Sequence, residues 1–235
     1  MESAENKPGL SRQCIKYLAA ACMLLNHISH TFFIHGWIDS VLIAVGSFTM
    51  PVMVYFLWEG WGYTRSRRNY CLRLLLFAVI SAVPFVLMIG IWELDFLFTL
   101  LLCAAMAVCK ERISSPALQF LCYFALIWLS RYCDWSLEAP LLMLLLLYHQ
   151  EWGLPKFVPF GLTFLVYVLE LCLSYGAPLR YALLCSVGIL AAGAVICLLF
   201  SGQRGRAGKW FFYVFYPAHI LLLVLLRRLL YGYWR

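Results

Sequence analysis

Five ionisable side chains stand inside apolar runs of this chain: His27, His30, Glu59, Glu170 and His219. A charged group costs about 2.5–3.5 kcal/mol at the centre of a membrane helix, so it persists where a partner or a reaction holds it. His27 and His30 are three residues apart and share one helix face. An imidazole titrates near neutral pH and can take a proton from an amine or hydroxyl nucleophile, or relay one. At about 1.5 Å per residue, His27 lies roughly 22 Å beyond Arg12 and His219 about 15 Å beyond Lys209. Two imidazoles at different depths, lining one path, are therefore expected. The alternative is a neutral histidine bonded to a neighbouring helix. His27, His219 and His30 are the catalytic candidates. No metal is expected, because no acid ligand has spacing that matches His27, His30 and His35.

The run Glu59-Gly60-Trp61-Gly62-Tyr63-Thr64-Arg65-Ser66-Arg67-Arg68 closes the second apolar stretch. Arg65, Arg67 and Arg68 beside two glycines could hold a phosphate-bearing cofactor, since arginine pairs bidentately with phosphate. An ordinary positive anchor at a membrane face would look the same. Glu59 could neutralise one arginine or bind the cofactor base. The loop Gly202 to Lys209 is glycine-rich and basic but is no P-loop: Gln203 replaces the first glycine and Trp210 the Ser/Thr. Asp134 sits in the loop before the sixth apolar run, at the outer interface.

Positioning these groups falls to membrane helices. Of 235 residues, 64% are hydrophobic and 12% charged, with a mean hydropathy of +0.85. Soluble domains average about 25% charged residues, so a soluble enzyme, a nucleic-acid-binding domain and a disordered chain are excluded. The net charge of +7 thus reads as topology, not nucleic-acid affinity. Apolar runs fall near 13–34, 41–60, 71–90, 95–109, 117–131, 136–149, 157–175, 180–200 and 210–228. The expectation is an all-α, polytopic protein of about nine transmembrane helices with its N-terminus cytoplasmic. That orientation places 13 of 18 Lys and Arg inside and leaves Arg131, Arg180, Arg227, Arg228 and Arg235 outside. Residues 1–12 form a short polar N-terminus, not a cleavable leader, and 13–230 a single transmembrane domain. The ten cysteines show no CxxC or zinc spacing and read as apolar packing residues. No repeat of 20–50 residues is visible.

Several blocks occur in a fixed order: Leu10-Ser11-Arg12 to Asn26-His27-Ile28, Met50-Pro51 through Glu59-Gly60 to Thr64-Arg65, and Tyr70-Cys71-Leu72-Arg73-Leu74 to Ser81-Ala82-Val83-Pro84-Phe85. Phe98-Thr99-Leu100, Asp134 and Phe212-Tyr213-Val214-Phe215-Tyr216-Pro217-Ala218-His219 follow. Their order resembles the TraX family, bacterial membrane proteins named after the conjugative-pilin acetylase, over about residues 10–226. The resemblance implies an acetyl-CoA-dependent acyltransferase of the inner (cytoplasmic) membrane that acetylates the N-terminal amine of pilin or another cell-envelope acceptor. It makes His27 the principal catalytic residue and matches Glu59, Arg65, Arg73, Asp134 and His219 to family blocks. Glu59, Arg65, Arg67, Arg68 and Arg73 are then the acyl-CoA-binding candidates, and Asp134 the acceptor-side one. Where the family usually reads Asp-His, this chain has Asn26-His27; an asparagine hydrogen-bonds but does not stabilise an imidazolium by charge. A proton-coupled transporter or channel is the competing class, and a non-enzymatic assembly partner the third.

Overall fold

Backbone polar groups in a bilayer can be satisfied only within the protein, which makes helices the default for apolar runs of this length. The computed structural model describes residues 9–32, 34–205 and 210–232. Its helices are α1 (Arg12–Phe32), α2 (Trp37–Gly46), α3 (Thr49–Trp61), α4 (Arg67–Ile89), α5 (Phe96–Arg112), α6 (Pro116–Ser130), α7 (Glu138–Tyr148), α8 (Val158–Leu173), α9 (Leu179–Ala194) and α10 (Phe211–Tyr231). A π-helical turn, Val195–Leu199, extends α9. Four stretches are long and apolar enough to cross a membrane: Trp37–Trp61, Arg67–Ile89, Leu179–Leu199 and Phe211–Tyr231. The helices α6, α7 and α8 are shorter and apolar. Polarity is arranged as a bilayer demands. Val83, Phe120, Phe124 and Leu229 face outward, while His27, Glu138, His219 and Arg227 are buried.

The local breaks have identifiable causes. Pro51 has no N–H for the carbonyl of Ser47, so the span Trp37–Trp61 breaks at 47–48 into α2 and α3. Gly188 of α9 packs into that break. A Cβ at Gly188 would collide with the Ala44 carbonyl, the Ser47 hydroxyl and the Phe48 nitrogen. Arg227, one of the arginines expected outside, is fully buried. It donates to the carbonyls of Leu87 and Met88 in the last turn of α4, groups that a helix end leaves without partners.

Two short backbone clips hold the ends of the bundle. Leu10 N–H donates to Leu199 O at 2.7 Å and Ser201 N–H to Leu10 O at 3.0 Å. Arg12 N–H donates to Gln203 O at 2.8 Å, so the segment after α9 caps the start of α1 and brings Arg204 to it. At the other end, Leu94 N–H donates to Tyr132 O and Asp134 N–H to Leu94 O, both at 2.8 Å. That clip gathers Glu93, Asp95 and Asp134. The polar N-terminus expected over 1–12 lies outside the described residues for 1–8, as do Arg206 to Lys209 of the basic loop.

Candidate active site

One face of α1 organises the site. Arg12, Lys16, Met23, His27 and His30 lie 4, 11, 15 and 18 residues along from the first, which returns them to nearly one line on a helix of 3.6 residues per turn. This line runs along two cavities that share lining residues. The one beside the start of α1, termed inner after the orientation expected from the basic residues, has a volume of about 390 Å³ and is lined by Arg12, Gln13, Lys16, Trp61, Tyr63, Arg204 and Phe212 among others. The outer cavity, of about 440 Å³, is lined by Asn26, His27, His30, Glu93, Asp134, Glu138 and Glu170 among others. Met23, Phe96 and Tyr216 line both and form the septum between them.

The two cavities are lined by different kinds of ionisable group. No carboxylate among the described residues lines the inner one and no lysine or arginine the outer one. In the inner cavity Arg12 pairs with Glu59 at 2.7 Å, and the Lys16 ammonium lies 4.6 Å from the centre of the Phe212 ring. Arg204 stands 5.3 Å over Tyr63. Arg12 Nε and Gln13 Oε1 are buried with no hydrogen-bond partner, a state that costs about 1–3 kcal/mol per group unless a ligand relieves it.

His27 and His219 meet on one level: Nδ1 of His27 is 2.7 Å from Nε2 of His219. The expectation of two different depths is therefore corrected. Counting from helix starts assumed a common level, but contact here requires α1 and α10 to begin roughly 10 Å apart along their axes. His219 Nδ1 is 2.7 Å from the carbonyl of Phe215. A carbonyl only accepts, so this nitrogen carries the hydrogen. With both rings neutral, Nε2 of His219 must then accept, and the hydrogen between the rings belongs to Nδ1 of His27. Nε2 of His27 is left with a bare lone pair, on a residue that lines the outer cavity. A carbonyl and one histidine thus fix the tautomer of another, as second partners do in general. Pro217 opens the same turn of α10 by withholding an N–H from the carbonyl of Tyr213.

The acids of the outer cavity come from three places. Glu93 and Asp134 are brought together by the loop clip, whereas Glu138 begins α7 and its carboxyl meets that of Glu170 on α8. Burial, then the nearby Glu93 carboxylate, pushes the Asp134 carboxyl up to about 8. Asp95 caps α5 by accepting the Leu97 N–H at 2.9 Å, and burial raises the Glu93 carboxyl. Trp135, on the same wall, has a positive φ of 56°, an uncommon conformation for a bulky residue that tends to persist at functional sites.

The sequence candidates are distributed as follows. His27, His30 and Asp134 line the outer cavity, with His219 behind His27. Glu59 flanks the inner cavity through Arg12. Arg67 lies over Trp61 at 5.3 Å and pairs with Glu111, and Arg73 lies 5.9 Å from the ring of Tyr213, so both stand behind inner-cavity walls. Arg65 and Arg68 are exposed in the adjoining segment and do not line it. Sequence reasoning did not single out Arg12, Lys16 and Arg204 as ligand-binding, having counted them only as topology charges. The i, i+4, i+11, i+15 line on α1 was the signal that could have joined Arg12 and Lys16 to His27. Glu93 and Glu138 were not singled out either, since each is brought to the cavity by tertiary contacts. Among the described residues no His, Cys, Asp and Glu group could hold a metal ion.

Comparison with known proteins bears on this geometry. The TraX protein family matches residues 11–227. The chain is 32% identical over 231 residues to the probable fimbrial assembly protein FimC, serogroup H1, of Dichelobacter nodosus, covering 89% of this chain and 92% of that protein. No solved structure matches it.

Proposed function

This chain belongs to the TraX family, and from that premise we propose that it is an integral membrane acyltransferase passing an acetyl group from acyl-CoA to an amine of a cell-envelope acceptor. The observation that carries the reading is the basic cavity joined through a three-residue septum to a carboxyl-lined one that His27 lines with His219 bonded behind it. Both volumes lie within the range of small-molecule sites.

Arg12, Lys16 and Arg204 hold the phosphates of the acyl-CoA, with Arg67 and Arg73 adding positive potential from behind and Arg65 and Arg68 steering from the rim. The orphaned Arg12 Nε and Gln13 Oε1 fit a ligand rich in both acceptors and donors. Glu59 holds Arg12 in place. Nothing but the thioester arm has to pass Met23, Phe96 and Tyr216. On the far side, Glu93, Asp134, Glu138 and Glu170 line the approach of the acceptor amine, which reacts in its neutral form, and His27 Nε2 takes a proton from its nitrogen as it attacks. His219 positions His27, and His30 stands near it on the cavity wall. The fimbrial name of the relative makes the N-terminal amine of a pilin the first acceptor to try.

Nine crossings with the N-terminus inside fit this direction of transfer, with acyl-CoA arriving from the cytoplasmic face of the inner membrane. Removing the buried Arg227 from the outer arginines strengthens the positive-inside bias behind that orientation. The test is to incubate sealed vesicles carrying wild type or His27→Gln with radiolabelled acetyl-CoA and to count label in protein, lipid and glycan fractions. Labelling that requires His27, with both proteins equally folded, supports the reading. No label above empty vesicles refutes it and turns attention to a flux assay.

A further inference from the structure

We propose that the hydroxyl of Tyr216 is a further catalytic group, the donor that receives the negative charge on the acyl carbonyl oxygen. This rests on the acyl-transfer reading above and adds a residue to it. Tyr216 is 3% exposed, yet its hydroxyl has no hydrogen-bond partner. Buried tyrosine hydroxyls usually find one, and an orphan of this kind calls for an explanation. Its position supplies it. Tyr216 lies on the septum, lining both cavities, and its ring stands edge-on to His27 with centroids 6.2 Å apart. The backbone N–H of Phe96, the first residue of α5, faces the phenol oxygen without closing to a full hydrogen bond. An N–H directed at that oxygen leaves the phenol proton for another acceptor and makes it a better donor.

The step balances without any further reactant. The acceptor amine attacks the thioester carbonyl carbon while His27 Nε2 takes its proton, and the carbonyl oxygen becomes an oxyanion held by the Tyr216 O–H. When the C–S bond breaks, the electron pair leaves on sulfur, the C=O reforms, and the proton on His27 passes to the thiolate. The products are the amide and free CoA thiol.

Tyr216→Phe removes one oxygen that has no partner, so folding is expected to be unharmed and Tm unchanged. Loss of a single oxyanion donor lowers kcat about 10²–10³-fold, with the KM for acetyl-CoA changed little. A second measurement needs no turnover. A carbon-13-labelled ketone analogue of acetyl-CoA, with CH₂ in place of the sulfur, is bound to each protein and its carbonyl stretch read by isotope-edited infrared spectroscopy. The wild type should lower the carbonyl frequency relative to the free analogue, and Tyr216→Phe should restore it. A wild type that transfers label while Tyr216→Phe is equally fast, or a carbonyl band that does not move in the wild type, overturns the role of Tyr216 alone. A wild type that transfers nothing fails earlier and takes the acyltransferase reading with it.

Discussion

The relay from Phe215 through His219 to His27 can be tested by removing its middle member. In His219→Leu the Nδ1–H of His27 loses its acceptor inside a buried site. Leaving one buried polar group unpaired costs about 1–3 kcal/mol. At 1.36 kcal/mol per decade, that is about a 5- to 150-fold loss if all of it falls on the productive arrangement. The lock on the tautomer is lost as well, and a base held in the wrong tautomer drops kcat by about 10⁴ in a serine protease triad. The expected fall in kcat therefore lies between about 10² and 10⁴, with KM for acyl-CoA little changed, because His219 is not among the residues lining the basic cavity. His219→Gln is the informative companion. Its side-chain oxygen reaches the position of Nε2 and can accept from His27, so it should recover at least tenfold over leucine. Nitrogen-15 NMR of labelled histidines gives a second readout that is independent of turnover: His27 should show a bare Nε2 and a protonated Nδ1. A leucine variant as active as wild type, or a wild-type His27 protonated on Nε2 alone, would refute the relay.

Other outcomes follow from the same geometry. Replacing Arg12, Lys16 and Arg204 together by glutamine should raise the KM for acetyl-CoA at least about tenfold, since charge-assisted bonds are worth about 1.5–3 kcal/mol each; Arg65→Gln with Arg68→Gln should have the smaller effect, and an inverted order in steady-state kinetics would move the docking site. Gly188→Ala should cost about 1–3 kcal/mol, seen as a lower Tm in detergent, because its Cβ meets backbone atoms of Ala44 and Phe48. Asp134 ionises near its ordinary 3.8 when unfolded and near about 8 when folded, so between those values the folded state binds more protons. Stability from this group is thus full in acid and is lost as pH rises from about 4 to about 8. Asp134→Asn should flatten the fall in Tm over that interval, and an unchanged slope would show that the carboxyl does not titrate there.

Much of the architecture was legible because a bilayer leaves a chain few choices. Each apolar run, even the short ones at 95–109 and 136–149, became helical, the run 41–60 as the pair α2 and α3 rather than one helix, because Pro51 breaks it. The histidines were legible for the related reason that a polar side chain in an apolar run must have a partner. Which partner it had was not. The contact of His27 with His219 joins residues 192 positions apart, and a spacing rule on one helix carries no information about the level at which another helix enters. The same limit hid the charge separation. Arg204 reaches the inner cavity only because residues 199–203 pair with the segment before α1, and Glu93 meets Asp134 only through the clip at Leu94.

The separation of charge also bears on the competing class. A carrier for an anion would welcome it at Arg12, Lys16 and Arg204 and then drive it against four carboxyl groups; a carrier for a cation would meet the reverse. At an effective dielectric of about 20, each carboxyl that is ionised opposes an anion 4 Å away by about 4 kcal/mol, so the barrier to an anion crossing from one cavity to the other grows with every carboxyl that ionises. Acyl transfer has no such difficulty. The phosphates of its donor stay in the basic cavity and the acceptor in the other, and only the uncharged thioester arm crosses the septum of Met23, Phe96 and Tyr216. Removing carboxyl groups makes the contrast measurable. Glu138→Gln with Glu170→Gln, which thins the acidic wall, should raise the KM for a cationic amine acceptor while leaving that for acetyl-CoA near its wild-type value. Under a transport reading the same pair of changes would lower the barrier to anions and raise anion flux through proteoliposomes, with no acceptor required.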